Sequence, residues 1–393
     1  MHTEQVFDAI VIGAGAMGSA TAYHLTRRKQ TTGSRVLLLE QFDIGHVMGS
    51  SHGESRIFRY AYTQPAYSRL AMQCKPLWQL LEQEAGLELL KPVGGVDLAD
   101  DEIGLKEIAA VASVLQSLGV RYEDLSASGL QAKFPQWRVP EQTRALYSPD
   151  TSFIWASRAV QVMVSLAAVQ GAVVRDREAV LQVIPYTDGV EVITTKDTYR
   201  ARSVVMTAGS WINSILKPMQ VELPLRIEQE QLHYVAPVQP ELFGPGRFTI
   251  WLQYGGNNAY GFPVLGSDGY PKGIKCGFHH NRRYIEPGDT DRTPSLEVEA
   301  RMLAFLRAYL PDAAGTVLSR TCCLYTNTPD EDFVLDRVPG FPHVLLASPC
   351  SGHGFKFSIG IGKALADLAQ HGQTDISIGE FGMARFASLN ARE

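Results

Sequence analysis

Gly13-Ala14-Gly15-Ala16-Met17-Gly18 constrains this 393-residue chain more than any other segment. Phe7 to Ile12 leads into it as an apolar, partly β-branched run, the pattern of a strand buried on both faces. Ala16 to Thr26 then reads as a helix with Ala20, Ala22 and Leu25 among its small or apolar positions, and Arg35 to Glu40 as a second strand ending in an acid. Each part has a physical task. Gly13 permits a tight turn, Gly15 lets the backbone approach a pyrophosphate, and Gly18 lets the helix pack on the strand. The helix N-terminus at Ala16 and Met17 offers free N–H groups and a positive dipole end to the anion. Glu40 lies 22 residues past Gly18, where an acid accepts hydrogen bonds from a ribose diol. A glycine loop alone says little. Strand, loop, helix, strand and acid in order within about 35 residues make a dinucleotide-binding βαβ unit, the Rossmann pattern. FAD and NAD both remain open on these residues, and the position at the start of the chain leans to FAD.

The rest of the composition sets limits. The length suits two domains, and 45% hydrophobic with 20% charged residues is an ordinary soluble balance. A net charge of -5 argues against a nucleic-acid partner, because phosphate binding needs a basic surface. No run approaches the roughly 18 apolar residues that span a bilayer, so no membrane partner is expected. Met1 to Gln5 lack the basic start and apolar core of a secretory signal, and Ala391-Arg392-Glu393 is not a Ser-Lys-Leu address. The expected location is the cytoplasm. Five cysteines (Cys74, Cys276, Cys322, Cys323, Cys350) without CxxC spacing read as reduced thiols, with no disulfide framework and no metal site expected.

Gly49 to Arg59 is a small-residue loop containing Ser50, Ser51 and His52, followed by Arg56 and Arg59. In a helix or turn that spacing brings both guanidinium groups to one side. Helices are expected at Tyr67 to Leu90, Glu107 to Leu118, Gln161 to Gln170 and Leu296 to Leu310. Strands are expected at Ala179 to Val183 and Val190 to Thr194. A buried strand from Ser203 ends in small residues near Ala208, Gly209 and Trp211, where a second loop of a nucleotide-binding fold meets its cofactor. Between Pro224 and Ser319 short β-like runs (Gln231 to Val235, Phe248 to Leu252, Asn258 to Phe262, Gly273 to Phe278) alternate with turns, the texture of a mixed or antiparallel sheet. Without a linker or repeat, the two domains are expected to interleave. Residues 1–88, 150–216 and 322–393 form the cofactor domain, and 89–149 and 217–321 the substrate domain, in an α/β (α+β two-domain) fold.

Near the C-terminus a strand from His343 to Ala347 leads into Ser351-Gly352-His353-Gly354-Phe355-Lys356-Phe357 and a helix through Ile361 to Ala369. This is a second glycine loop opening a helix, able to face an anion or a polarised ring edge. Lys356 sits in apolar surroundings, where an ammonium is costly without an acidic partner.

At these segments, together with Tyr260 to Pro263, Lys275 to His279 and Cys323 to Thr326, the chain resembles the monomeric sarcosine oxidase family of FAD amine oxidases over nearly its whole length. Tyr325 to Glu331 and Leu37 to Phe42 look closest to the pipecolate and peroxisomal sarcosine oxidase branch. The resemblance implies that Cys323 carries the flavin through a thioether to its 8α-carbon. It implies that Arg59 and Lys356 clamp a substrate carboxylate in a pocket that Tyr325 also lines. Lys275 would stand near flavin N5 and promote reaction with dioxygen, with Tyr260 and His279 across the substrate. Cofactor contacts are implied for Gly13, Gly15, Ala16, Met17, Gly18, Glu40, Gln41, Ser50, Ser51, His52 and Arg56, then Val183, Ala208, Gly209 and Trp211, and finally Cys323, Gly352, Gly354, Phe355 and Lys356.

The activity implied by the resemblance is that of an FAD-dependent oxidase, a monomer acting on a secondary-amine amino acid and dioxygen to give an imine and hydrogen peroxide. The physics agrees. An arginine plus a lysine bind a carboxylate by charge-assisted hydrogen bonds, and a cation stabilises the charge that develops on oxygen. Three rivals stand beside it: an FAD-dependent amino acid dehydrogenase with another acceptor, an NAD-dependent dehydrogenase, and a non-catalytic FAD-binding protein.

Overall fold

In a computed structural model, the structure describes residues 6–27, 35–267, 269–289, 291–348 and 351–386. The segments expected to bear on targeting, and Cys350, lie outside them. The N-terminal βαβ unit forms as expected. Strand β1 (Val6–Ile12) enters the glycine loop, helix α1 (Ala16–Arg27) leaves it, and strand β2 (Val36–Leu39) lies parallel beside β1. β1 is the middle of an eight-stranded sheet, flanked on its other side by the parallel strand Thr198–Met206. The strands Val173–Arg175 and Val344–Ser348 extend the parallel part, and the hairpin Val180–Tyr186/Gly189–Thr194 closes one edge. Every residue of β2 is buried: Val36 and Leu38 pack with α1 and the helix Ala156–Val169, and Leu37 and Leu39 share an apolar cluster with Val183, Val190 and Ile215.

A second eight-stranded sheet is built mainly antiparallel. Its order runs Val317–Asn327, Arg226–Val235, Ile274–Phe278, Ala259–Gly261, Ile250–Gln253, Gly95–Ala99, Arg144–Ser148, Glu123–Ser126. The helix Leu296–Tyr309 packs on it through Met302, Phe305 and Leu306, in one apolar cluster with Trp137, Phe248 and Trp251. A third sheet joins strand β3 (Ser55–Phe58) to Ser152–Trp155 and Leu90–Pro92.

Three expectations shift. The helix read from Tyr67 to Leu90 spans Pro65–Ala85, because Gly86 caps it in the left-handed region and Leu90–Pro92 turns into a strand. Arg56 and Arg59 belong to β3 and its exit, neither a helix nor a turn. The boundary drawn at residue 322 falls inside the single strand Val317–Asn327, which pairs along its length with Arg226–Val235 in the second sheet. Cys323 and Tyr325 therefore stand on that sheet and face the cofactor unit from outside.

Candidate active site

The site begins at the glycine loop. Gly13 has φ +93°, and a Cβ there would lie 2.7 Å from the Thr207 carbonyl oxygen. A Cβ on Gly18 would lie 1.8 Å from the Gly13 carbonyl oxygen, so only hydrogen lets α1 sit this close to the loop. Thr207 Oγ1 donates to the Ile12 and Gly13 carbonyls and fixes the turn from the neighbouring strand. Glu40, at the end of β2, accepts from Ala14 N (2.9 Å) and Phe42 N (3.0 Å) and lies 3.4 Å from His46 Nε2. These donors hold its carboxyl below the usual carboxylate range although burial works against them. Its remaining lone pairs stay available to a diol.

From this loop one continuous cavity runs to the second sheet. It is walled by Gly13, Gly15, Ala16, Met17, Glu40, Gln41, Ser50, Ser51, His52 and Arg56 at the cofactor end, then Ala208, Gly209 and Trp211. At the far end stand Arg59, Tyr260, Lys275, His279, Cys323, Tyr325, Gly352, Gly354, Phe355 and Lys356. Two expected contacts fall outside the wall. Gly18 packs helix on loop without reaching the cavity, which is its expected packing task. Val183 is buried in the apolar cluster behind the sheet with Val190 and Val192, and Glu178 and Val180 line the cavity instead. The strand Val180–Tyr186 is bulged between Val180 and Gln182, so simple alternation does not say which of its side chains reaches the cavity.

The serine loop is tied to both sheets. Ser51 Oγ accepts from Ala16 N at 2.9 Å, and Ser50 Oγ donates to the Leu324 carbonyl between Cys323 and Tyr325. Arg56 donates to the carbonyls of Ser50 (2.8 Å) and His52 (2.7 Å), so its side chain clasps the loop. His52 lines the cavity 8% exposed, and its Nε2 has no hydrogen-bond partner among the described residues. Burial, with Arg56 and Lys275 nearby, pushes its imidazole down to about 4, so it is neutral. An orphaned polar atom in a cavity wall fits a polar ligand there. With the glycine cradle and the acid at the diol position, the wall fits FAD.

The far end is crowded with cations. Lys275 Nζ donates to the Ser55 carbonyl at 2.7 Å and lies 4.9 Å from the Phe262 ring centroid. Burial, then repulsion from Arg56, bring it down to about 7. Lys356 Nζ donates to Tyr62 Oη and the His353 carbonyl, both at 2.7 Å, and burial next to Arg59 holds it well below the usual ammonium range. Neither ammonium meets an acid among the described residues. Arg59 does, donating to Asp97 Oδ1 (3.0 Å) and Tyr254 Oη (2.5 Å), with its guanidinium 4.6 Å from the Tyr62 ring centroid. Burial would lower Arg59, but Tyr254 and Asp97 outweigh it and keep it charged. Opposite stand Tyr260, His279 and Tyr325. Tyr325 Oη and His279 Nδ1 are 3.0 Å apart, and burial pushes His279 down to about 3. Gly352, at φ +76°, passes so near Tyr325 that a Cβ would lie 2.4 Å from its ring.

Tyr62, Asp97 and Tyr254 were not singled out from the sequence. Asp97 left one trace, an acid inside the wholly buried strand Gly95–Ala99.

The comparisons with known proteins agree with this geometry. The model of the FAD dependent oxidoreductase family, DAO, matches residues 8–368. The peroxisomal sarcosine oxidase of Homo sapiens is 35% identical, with 98% of each chain covered. The monomeric sarcosine oxidase of Streptomyces avermitilis is 36% identical over 98% of this chain and 99% of its own. The chain belongs to the monomeric sarcosine oxidase family of FAD-dependent oxidoreductases. The N-methyl-L-tryptophan oxidase of Yersinia pestis, at 31% identity over 97% of this chain and 99% of its own, is a further member. Among solved structures NikD, an unusual amino acid oxidase essential for nikkomycin biosynthesis, superposes with a TM-score of 0.82 at 26% identity, covering 95% of this chain and 96% of that one. The L-proline dehydrogenase of P. horikoshii shares the fold, with a TM-score of 0.85 at 21% identity over 98% and 99% of the two chains.

Proposed function

We propose that this chain oxidises the C–N bond of an amino acid carrying a secondary amine, using dioxygen and releasing hydrogen peroxide. One observation carries it: Lys356 is a buried lysine that meets no acid among the described residues, and it shares Tyr62 with Arg59, donating to the Tyr62 hydroxyl while the guanidinium lies over the ring. A substrate carboxylate supplies the missing charge and is held from two sides. FAD, when bound, accepts the hydride equivalent of the substrate C–H bond and passes the electrons to dioxygen. The clamp orients the C–H bond, which is a large part of what the protein contributes. Tyr260, His279 and Tyr325 wall the amine side with neutral groups, which favours the free amine over the ammonium. Lys275 supplies a cation where charge develops on oxygen. The relatives named for sarcosine and N-methyl-L-tryptophan support a substrate of this class.

Cys323 is the residue we assign to a covalent flavin. It lines the cavity from the second sheet, and burial pushes its thiol up to about 11, above an ordinary cysteine. We further read the protein as a monomer of the cytoplasm with no nucleic-acid or membrane partner. Among the described residues no helix is long and apolar enough to cross a membrane. The test is anaerobic flavin bleaching against sarcosine, N-methyltryptophan, L-pipecolate and L-proline, with peroxide release then measured on admitting air. Bleaching by none of them would overturn the amino acid reading. Bleaching without peroxide would make the enzyme a dehydrogenase. Acid precipitation reads the tether separately: wild-type protein should precipitate yellow and Cys323→Ser colourless.

A further inference from the structure

Beside the wall made by Cys323 and Tyr325, on the neighbouring strand, lies a pair of acids that the clamp does not use. Glu228 and Glu230 lie on the strand Arg226–Val235, where register places Glu230 directly opposite Cys323 and Glu228 opposite Tyr325. Directly opposed residues of antiparallel strands point to the same face, with Cβ atoms about 5 Å apart. Both acids are buried, Glu228 at 0% and Glu230 at 2% exposure. Among the described residues neither pairs with a lysine or arginine side chain. Two carboxyls so placed cannot both stay ionised cheaply. Their oxygens, with a His280 nitrogen, gather within 4.8 Å, close enough for the pair to share one proton.

The surroundings suit a proton better than a metal ion. Asn281 donates to Glu230 through N (3.2 Å) and Nδ2 (2.5 Å), while Arg282 N and Asn327 Nδ2 donate to Glu228. The acceptors are thus already held by N–H groups. Outward, Glu228 Oε2 lies 3.1 Å from His280 Nδ1, and His280 Nε2 lies 3.5 Å from Glu331 Oε1, whose side chain is half exposed. Titratable side chains therefore run in series from the back of the cavity to solvent. Arg282, exposed, is a cation close to that outer end, and Tyr260 and Tyr325 lie near the pair on the cavity side.

The reaction needs such a path. A substrate ammonium must lose one N–H proton, its electron pair staying on nitrogen, before the C–H hydride can leave. Dioxygen then takes the hydride's proton and two electrons together with one more proton to become hydrogen peroxide. Each turnover therefore moves one proton away from the amine and delivers one to oxygen. Lys275, Lys356 and Arg59, with Arg56 nearby, make the rest of the far wall repulsive to a passing proton. We propose that Glu230 and Glu228, with His280 and Glu331, carry this proton between the back of the cavity and solvent. Glu230 takes up the incoming proton as its own moves to Glu228 and on to His280. Burial, and then Glu228, push Glu230 up to about 8, so the pair holds one proton near neutrality and can pass it either way.

The inference rests on the oxidase reading, and the experiment separates the two. Holoenzyme is mixed anaerobically with sarcosine or L-pipecolate, whichever bleaches the wild type faster, in weak buffer with a pH indicator. Wild type should release one proton per flavin bleached, at the bleaching rate. In Glu230→Gln that release should fall behind bleaching by about tenfold or more, and Glu230→Asp should restore part of it. A readout without turnover accompanies it: the infrared carbonyl band of a protonated carboxyl, present in wild type near neutral pH and absent in Glu230→Gln. Should Glu230→Gln fold poorly, His280→Asn interrupts the same path away from the cavity. If wild type neither bleaches nor releases a proton, the oxidase reading fails. If wild type does both and the variants match it in rate and band, the relay is wrong.

Discussion

Burying an ammonium without an acid opposes folding, and Lys356 does this beside a second buried cation. A fold keeps such a group when a ligand needs it. Lys356→Met should therefore separate binding from stability. Substrate KM should rise by about tenfold or more, the worth of one charge-assisted hydrogen bond, while thermal unfolding moves up or stays level. A variant that unfolds earlier would mean that the ammonium is structural. Of such residues, Lys356 stood out in the sequence by its apolar setting, whereas Cys323 was singled out only by resemblance to the family. Tyr254 and Tyr62 were not legible, since each is unremarkable in its own segment, and Asp97, though an acid in a buried strand, acts only when the fold brings it to Arg59. Val183 failed for a simpler reason. A strand was expected at Ala179 to Val183 and runs Val180–Tyr186, and which of its side chains meets the cavity depends on a pairing and a bulge that local sequence does not contain.

At the scale of elements, the glycine loop was the most legible part because its needs are local. Strand, turn, helix and acid lie within one stretch of chain, and the close approach demands glycine whatever the rest does. Gly18→Val tests that demand. The added Cβ overlaps the Gly13 carbonyl, a backbone atom that cannot step aside without moving the turn. The cost should exceed the roughly 1–3 kcal/mol of ordinary overpacking. The expected outcome is apoprotein with lowered Tm and no retained flavin. Retention of stoichiometric flavin by Gly18→Val would show that α1 can move off the loop. Less legible was the strand Val317–Asn327. Its sequence mixes apolar and polar residues, from Val317-Leu318 to Thr326-Asn327, and nothing local says that it pairs with Arg226–Val235 rather than with the cofactor sheet. The two cavity ends meet because Ser50 and Leu324 are bonded across that junction.

For the molecule as a whole, two sheets with different textures were readable as two units woven together. Strand order was not. β1 pairs with Thr198–Met206, nearly 200 residues away, and such closure depends on the other elements packing first. The same long-range packing buries His24, on α1, whose Nε2 donates to the Ile359 carbonyl at 3.0 Å from the C-terminal helix Ser358–His371. Burial pushes its imidazole from the ordinary 6.5 to about 3, against that hydrogen bond. This depression makes acid, and not base, the destabilising direction. Above about pH 6.5 neither folded nor unfolded chain holds the proton, and the fold keeps its full stability. Below that, the unfolded chain takes up a proton that the folded chain refuses. Stability then drains, by up to about 1.4 kcal/mol per pH unit, until the pH reaches the folded value near 3. His24→Gln keeps a donor for the Ile359 carbonyl and removes the titration. Denaturant unfolding at several pH values between about 6.5 and 4 should show a shallower loss of stability in the variant than in wild type. Parallel slopes would mean that the imidazole reaches water in the native state, and that α1 does not seal against the C-terminal helix at this point.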